Sequence, residues 1–181
     1  MMKNKALFLD RDGVINVDHG YVHRAEDFDF LEGIFDLTRE AVTKGYLIFV
    51  ITNQAGIGRG FYSINDFNLL TNWMCKRFDT EGVTISEVYY SPYHPIHGKG
   101  KFKQDHVSRK PNSGMIYQAA EKFHVDLQES ILIGDKLTDI QAGVNAGIGT
   151  NILYLGNDGM KSLSTLAYHS VATLHDAKLF I

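Results

Sequence analysis

The chain has almost no cysteine: Cys75 is the only one in 181 residues. That excludes an intrachain disulfide and any zinc site built from several thiolates. A long apolar run is missing as well. The longest, Tyr46 to Ile51, is far too short to cross a bilayer. The four apolar residues just before Asp10 are too few for a signal-peptide core. Neither sign of charge dominates. A net charge of −3 gives no reason to expect nucleic acid, whose partners carry a basic stripe. Repeats, low-complexity tracts and linkers are also lacking. The three prolines, Pro92, Pro95 and Pro111, all fall in one polar stretch. These absences lead to the expectation of a cytoplasmic protein with no membrane or nucleic-acid partner; a single domain over residues 1–181 and a monomer are expected besides. Its length is enough for one sizeable core.

What is present is an alternation of strand and helix patterns, which argues for an α/β fold with a parallel sheet covered on both faces. Strand patterns span Ala6–Leu9, Tyr46–Thr52, about Ile85–Tyr90, Ile131–Ile133 and Asn151–Leu155. A helix from about Gly33 to Lys44 stops at Gly45, a residue suited to the left-handed turn that ends helices. Ser63-Ile64-Asn65-Asp66 reads as a helix start, followed by an apolar stripe of Phe67, Leu70, Met74 and Phe78 with Trp73 beside it. Further helices are expected over about Ser113–Phe123 and from near Thr138 to Gly147. The last residues suggest one more short strand and a helix. Cys75 and Trp73 read as packing residues.

Three strand ends carry polar residues: Asp10, Thr52-Asn53 and Asp135. In open parallel sheets ligands bind beyond the carboxyl ends of the strands, so these residues share one rim. Asp10 and Asp12 flank Arg11 directly after the first strand, and Gly13 then frees the backbone to turn. This pattern suits an Asp10 nucleophile that attacks phosphorus and an Asp12 that carries a proton to and from the reacting oxygens. Asp10, the Asp12 carbonyl and Asp135 form an all-oxygen set suited to Mg²⁺. Thr52 offers a hydroxyl to the phosphoryl group, and Lys110 a compact positive charge. Asp139 could brace either Lys110 or the waters on the metal. Each of these motifs alone is also an ordinary turn; their order and shared rim make them a set.

That set is Asp10-Arg11-Asp12-Gly13, Thr52-Asn53-Gln54, Arg109-Lys110-Pro111 and Gly134-Asp135-Lys136-Leu137-Thr138-Asp139. It resembles the haloacid dehalogenase superfamily of phosphatases, over about residues 6–155. Asn16 to His23 and Asn53 to Gly60 are similar to its heptose bisphosphate phosphatase family, a relative of the histidinol-phosphate phosphatases. The resemblance implies a Rossmann-like fold without a large cap domain, Mg²⁺ dependence, and removal of the 7-phosphate from heptose 1,7-bisphosphate, a phosphosugar that feeds surface polysaccharide. It also implies that Asp18, His19, Gly20, Tyr21, Asn53, Gln54, Ala55 and Lys136 line the substrate site. Arg109 would grip the phosphate that stays on the sugar, as a guanidinium does. Histidinol phosphate or another small phosphate ester is the alternative substrate. A silent phosphosugar-binding protein is the alternative from another class.

The chain departs from that family in one loop. Where the family carries a zinc-binding Cys-x-His pair and a later Cys-x-Cys pair, this chain has Ser91, Tyr93, His106 and Ser108. The structural zinc is therefore expected to be absent. A rescue site from His94, His97 and His106 is the less favoured reading, because loop histidines are more often solvated. Without zinc the loop is expected to open more readily or to be braced by Tyr90, Tyr93 and Phe102. Lys99, Lys101 and Lys103 either steer an anionic substrate or form a solvated face; the solvated face is favoured.

Overall fold

A computed structural model of the protein describes residues 3–156 and 168–181. Six strands form one parallel sheet. They are β1 (Lys5–Leu9), β2 (Tyr46–Asn53), β3 (Ile85–Ser91), β4 (Ile131–Gly134), β5 (Thr150–Tyr154) and β6 (His169–Val171), in the order β3-β2-β1-β4-β5-β6. Among the described residues six α-helices accompany them: α1 (Ile34–Thr43), α2 (Ala55–Arg59), α3 (Ile64–Thr80), α4 (Gly114–Phe123), α5 (Leu137–Ala146) and α6 (Leu174–Ala177).

Strand periodicity sorts the apolar residues into two layers. Leu7 and Leu9 pair in register with Ile48 and Val50 and face α1, α3 and α6. Ala6 and Phe8, with Phe49 and Ile51, face α4 and α5 instead. Every residue from Ala6 to Leu9 is fully buried, as a central strand covered on both faces requires. The stripe on α3 behaves as its spacing predicts, with Phe67, Leu70, Met74 and Phe78 all buried. Its start is a capping box: the Ser63 hydroxyl accepts from the Asp66 N–H at 3.1 Å, and Asp66 accepts from the Ser63 N–H at 2.8 Å.

The sheet order places β1 beside both β2 and β4, so the chain reverses its direction of build between β1 and β4. The crevice at such a reversal, beyond the carboxyl ends of the strands, is the natural ligand site of the architecture. Asp10 and Asp135 follow the two strands that flank it. The segments 10–33 and 92–113 carry one short 3-10 turn each, Ala25–Asp27 and Gly100–Phe102, so no large cap covers this rim. Among the described residues no helix is long and apolar enough to cross a membrane.

The element that sequence patterning does not predict is α2. Its sequence, Ala-Gly-Ile-Gly-Arg, is poor helix material. Tertiary contact explains it. A Cβ on Gly56 would stand 2.2 Å from Tyr62 Cε1, and one on Gly58 would stand 2.2 Å from the Pro92 carbonyl oxygen. The glycines let this short helix press against Tyr62 on one side and the 92–113 segment on the other.

Candidate active site

Asp10 emerges from β1 into a cavity of about 500 Å³ at the reversal point. Its carboxylate is nearly inaccessible to solvent. Oδ1 accepts from the Arg11 N–H at 2.7 Å and lies 2.9 Å from Lys110 Nζ. Lys110 Nζ also reaches Asp139 Oδ1 at 2.7 Å and donates to the Ile51 carbonyl at 2.7 Å, so all three of its protons have acceptors. The second oxygen of Asp139 takes the Lys136 N–H at 2.9 Å. Asp139 is thus a brace for Lys110, with both of its oxygens engaged. Burial disfavours the charge on Lys110, but Asp10 and Asp139 outweigh it and hold its pKa above the ordinary lysine value. Burial raises the pKa of Asp10, with Lys110 opposing it.

Asp135, after β4, completes an acidic group: ligand oxygens of Asp10, Asp135 and Asp139 all lie within 4.8 Å of one another. Among the described residues its Oδ1 is buried without a hydrogen-bond partner. Burial, and then the charge of Asp10, push its pKa up to about 7. Gly13, at φ +95°, passes so close that a Cβ there would stand 2.4 Å from Asp135 Oδ2. A buried carboxylate with an orphaned oxygen, crowded by other carboxylates, fits a hard divalent cation.

Asp12 sits in a different net. Both of its oxygens lie 2.9 Å from Arg11 Nη2, Oδ1 accepts from Asn16 Nδ2 at 3.1 Å, and Oδ2 accepts from Gln54 Nε2 at 2.9 Å. Arg11 is 1% exposed, lying between the rings of Phe28 and Phe67 at 5.9 Å from each. Gln54 Nε2 also donates to the Thr52 hydroxyl at 2.8 Å, while Gln54 Oε1 accepts from the Tyr62 hydroxyl at 2.5 Å. Sequence reasoning missed Arg11 and Tyr62. An arginine between two aspartates reads as solvated, and Tyr62 lies outside every motif.

The expected substrate-lining residues fall mostly around this cavity: Asp18, Gly20 and Tyr21 on one side, Asn53, Gln54 and Ala55 on another, with Arg109 and Lys136. Thr138 and Tyr62 line it as well. His19 is the exception. Its Nε2 lies 2.8 Å from Asp29 Oδ2, and the residue stands outside the lining. Asn53 lines the cavity, but its amide is committed to the backbone: Nδ2 donates to the Lys110 carbonyl and Oδ1 accepts from the Lys110 N–H, each at 3.0 Å. Arg109 is half-buried and donates from Nη1 to the Tyr93 carbonyl at 2.9 Å. Lys136 Nζ reaches Asp18 at 3.2 Å and Asp135 at 3.4 Å.

The loop that departs from the zinc pattern closes on itself. Ser108 Oγ donates to Ser91 Oγ at 3.1 Å, His106 Nδ1 lies 2.7 Å from Ser108 Oγ, and Tyr93 stacks on His106 at 3.9 Å. Tyr93 also meets Phe102 at 5.8 Å. His94 Nδ1 accepts from the backbone N–H groups of Ile96 and His97.

A buried aspartate at the first strand end, a lysine held between carboxylates and a further carboxylate after the fourth strand define a hydrolase of the haloacid dehalogenase class. A family model described as HAD-hydrolase-like matches residues 107–177. A D-glycero-alpha-D-manno-heptose-1,7-bisphosphate 7-phosphatase of Burkholderia mallei is 55% identical, over 88% of this chain and 85% of its own. A beta-anomer counterpart from Vibrio cholerae is 47% identical over 84% and 82%. The solved D,D-heptose 1,7-bisphosphate phosphatase of B. bronchiseptica, complexed with magnesium and phosphate, superposes with a TM-score of 0.84 at 26% identity, covering 97% of both chains. The chain belongs to the heptose-1,7-bisphosphate 7-phosphatase family of the haloacid dehalogenase superfamily.

Proposed function

We propose that the protein hydrolyses the 7-phosphate of D-glycero-D-manno-heptose 1,7-bisphosphate through a phosphoryl group carried on Asp10. The observation that carries this reading is two cations of different standing in one cavity, beside a third, Lys136, that is already paired with Asp18 and Asp135. Lys110 is buried against Asp10, and Arg109 is half-buried with, among the described residues, only Nη1 tied to protein. A bisphosphate has an anion for each. A monophosphate such as histidinol phosphate would leave Arg109 without one. The names of the relatives support the same substrate.

In the first step a carboxylate oxygen of Asp10 attacks phosphorus and the bond from phosphorus to the sugar oxygen breaks. Asp12 gives that oxygen its proton. In the second step water attacks the phosphorus of the aspartyl phosphate, Asp12 takes a proton from the water, and the bond from phosphorus to Asp10 breaks to release inorganic phosphate. The net of Arg11, Asn16 and Gln54 holds the Asp12 carboxyl in one orientation through both transfers. Thr52 and Lys110 steady the phosphoryl oxygens. Asp10, the Asp12 carbonyl and Asp135 would hold Mg²⁺, which when bound neutralises the charge gathered between nucleophile and phosphate. Asp18, Gly20, Tyr21, Gln54, Ala55 and Lys136 would border the sugar. Every reacting group of this scheme lies on one chain, which supports a monomer.

In this reading the loop holds no structural zinc. Two hydroxyls and a phenol stand where thiolates and a histidine would serve, and the Nδ1 of His106 is committed to Ser108. Metal analysis of the purified protein should find zinc far below one per chain; a stoichiometric content would overturn this point. The function is tested by phosphate release with Mg²⁺ from both anomers of heptose 1,7-bisphosphate and from histidinol phosphate. Strong preference for one heptose anomer is expected. Equal or better turnover of histidinol phosphate would overturn the substrate.

A further inference from the structure

Arg59 is no part of the reaction just described, yet it touches the cavity wall at its most unusual point. Gly20 and Tyr21 are both left-handed, at φ +79° and +56°. A tyrosine is rarely found there, so something outside its own backbone must hold it. Two ties are in place. Arg59 Nη1 donates to the Tyr21 hydroxyl, and the Arg59 guanidinium lies 5.3 Å from the Tyr21 ring and 4.6 Å from that of Phe61. Phe61 in turn meets Tyr21 edge-on at 4.8 Å. Two residues on, the loop is pinned again. His23 Nδ1 lies 2.8 Å from the Tyr21 carbonyl, and its ring stacks on Tyr62 at 5.0 Å with 3° between the planes. Tyr21 lines the cavity; Arg59 and Phe61 stand behind it.

The helix that carries Arg59 makes this arrangement informative. α2 begins at Ala55, directly after Gln54, whose side chain bonds both Asp12 and Thr52. It ends at Arg59 against Tyr21. One rigid turn therefore joins the reacting end of the cavity to the wall around the sugar. We propose that Arg59 is a positioning residue for substrate choice: through Tyr21 it fixes the wall that meets the sugar and its far phosphate, and it touches no reacting atom. This rests on the phosphatase reading above. A guanidinium suits the task because its plane stacks on the rings while its edge donates, which an ammonium cannot do together.

The test compares the wild type with Arg59→Ala and Arg59→Lys. Backbone hydrogen exchange over residues 17–23 needs no substrate and should quicken at least about threefold in the alanine variant. With Mg²⁺, KM for heptose 1,7-bisphosphate should rise about tenfold while kcat falls less than about threefold. Acetyl phosphate, too small to reach Tyr21, should lose little of its kcat/KM. Arg59→Lys should recover part of both effects. Unchanged exchange, or an equal loss on the two substrates, would overturn the proposal. A wild type inert on the heptose bisphosphate would instead overturn the function proposed above, and the exchange measurement would still decide whether Arg59 holds the wall.

Discussion

The reacting end of the cavity and its rim are built on opposite principles. At the reacting end, Asp10 after β1, Lys110 in a turn of the 92–113 segment and Asp139 in the first turn of α5 are buried, and their charges face one another at 2.7 to 2.9 Å. At the rim, Tyr21 and Lys136 are exposed and Arg109 half-buried, held by ties from long side chains and by ring contacts. Losing one charge from the inner set strands its partners away from water, a large penalty. Changing a rim residue leaves the neighbours solvated. The contrast predicts that the chemistry is shared across substrates, while selection among them resides in the rim.

Asp10→Asn offers the sharpest break. It should lower turnover by at least about a thousandfold on the heptose bisphosphate and on acetyl phosphate alike, with the fold intact by circular dichroism. Loss on one substrate alone would dissolve the contrast. Arg109→Ala should do the opposite. Removing a charge-assisted contact worth about 1.5–3 kcal/mol should raise KM for the bisphosphate about ten- to a hundredfold and leave acetyl phosphate nearly untouched. Parallel losses on both would place Arg109 with the reacting group.

Asp135 separates the two regions by pH. With its pKa near 7 in the folded, metal-free chain and near 3.8 unfolded, the folded form keeps a proton between those values that the unfolded form releases. Stability from this group therefore falls as pH rises from about 4 to 7. Magnesium binds the charged form, so its effect on Tm should be larger at pH 7.5 than at pH 5. Asp135→Asn should flatten both responses. A magnesium shift equal at the two pH values would contradict this account. The smallest effect expected is that of Ser108→Ala in the loop beneath Arg109. It should cost about 1 kcal/mol in urea unfolding, with kcat on acetyl phosphate unchanged. A loss of several kcal/mol would mean that this loop belongs with the rigid part.

The same division governs what the sequence reveals. β1, β2 and the α3 stripe are legible because strand and helix periods sort residues such as Phe8, Phe49 and Met74 into layers before any contact is known. Asp10, Thr52 and Asp135 are legible because strand ends gather on one rim. α2 is not, since its glycines answer to Tyr62 and Pro92 from elsewhere in the chain. Arg11 is hidden for the same reason: nothing near it in sequence announces the rings of Phe28 and Phe67 that enclose it. His19 shows the reverse, standing outside the lining, and Asn53 lines the cavity with its amide turned to the backbone. A motif gives a residue's address, but the direction of its side chain is set by partners, here the Lys110 backbone and Asp29.

The full set of acceptors around Lys110 has a consequence for the rhythm of turnover. Its three protons already rest on Asp10, Asp139 and the Ile51 carbonyl. An arriving phosphoryl oxygen must displace one of these rather than fill an empty place. When inorganic phosphate departs, the displaced oxygen returns and no cation is left bare. Capture and release are thereby brought closer in free energy, and the product gains little by lingering. In the proposed reaction the lysine would work as a latch that reseats itself after every cycle.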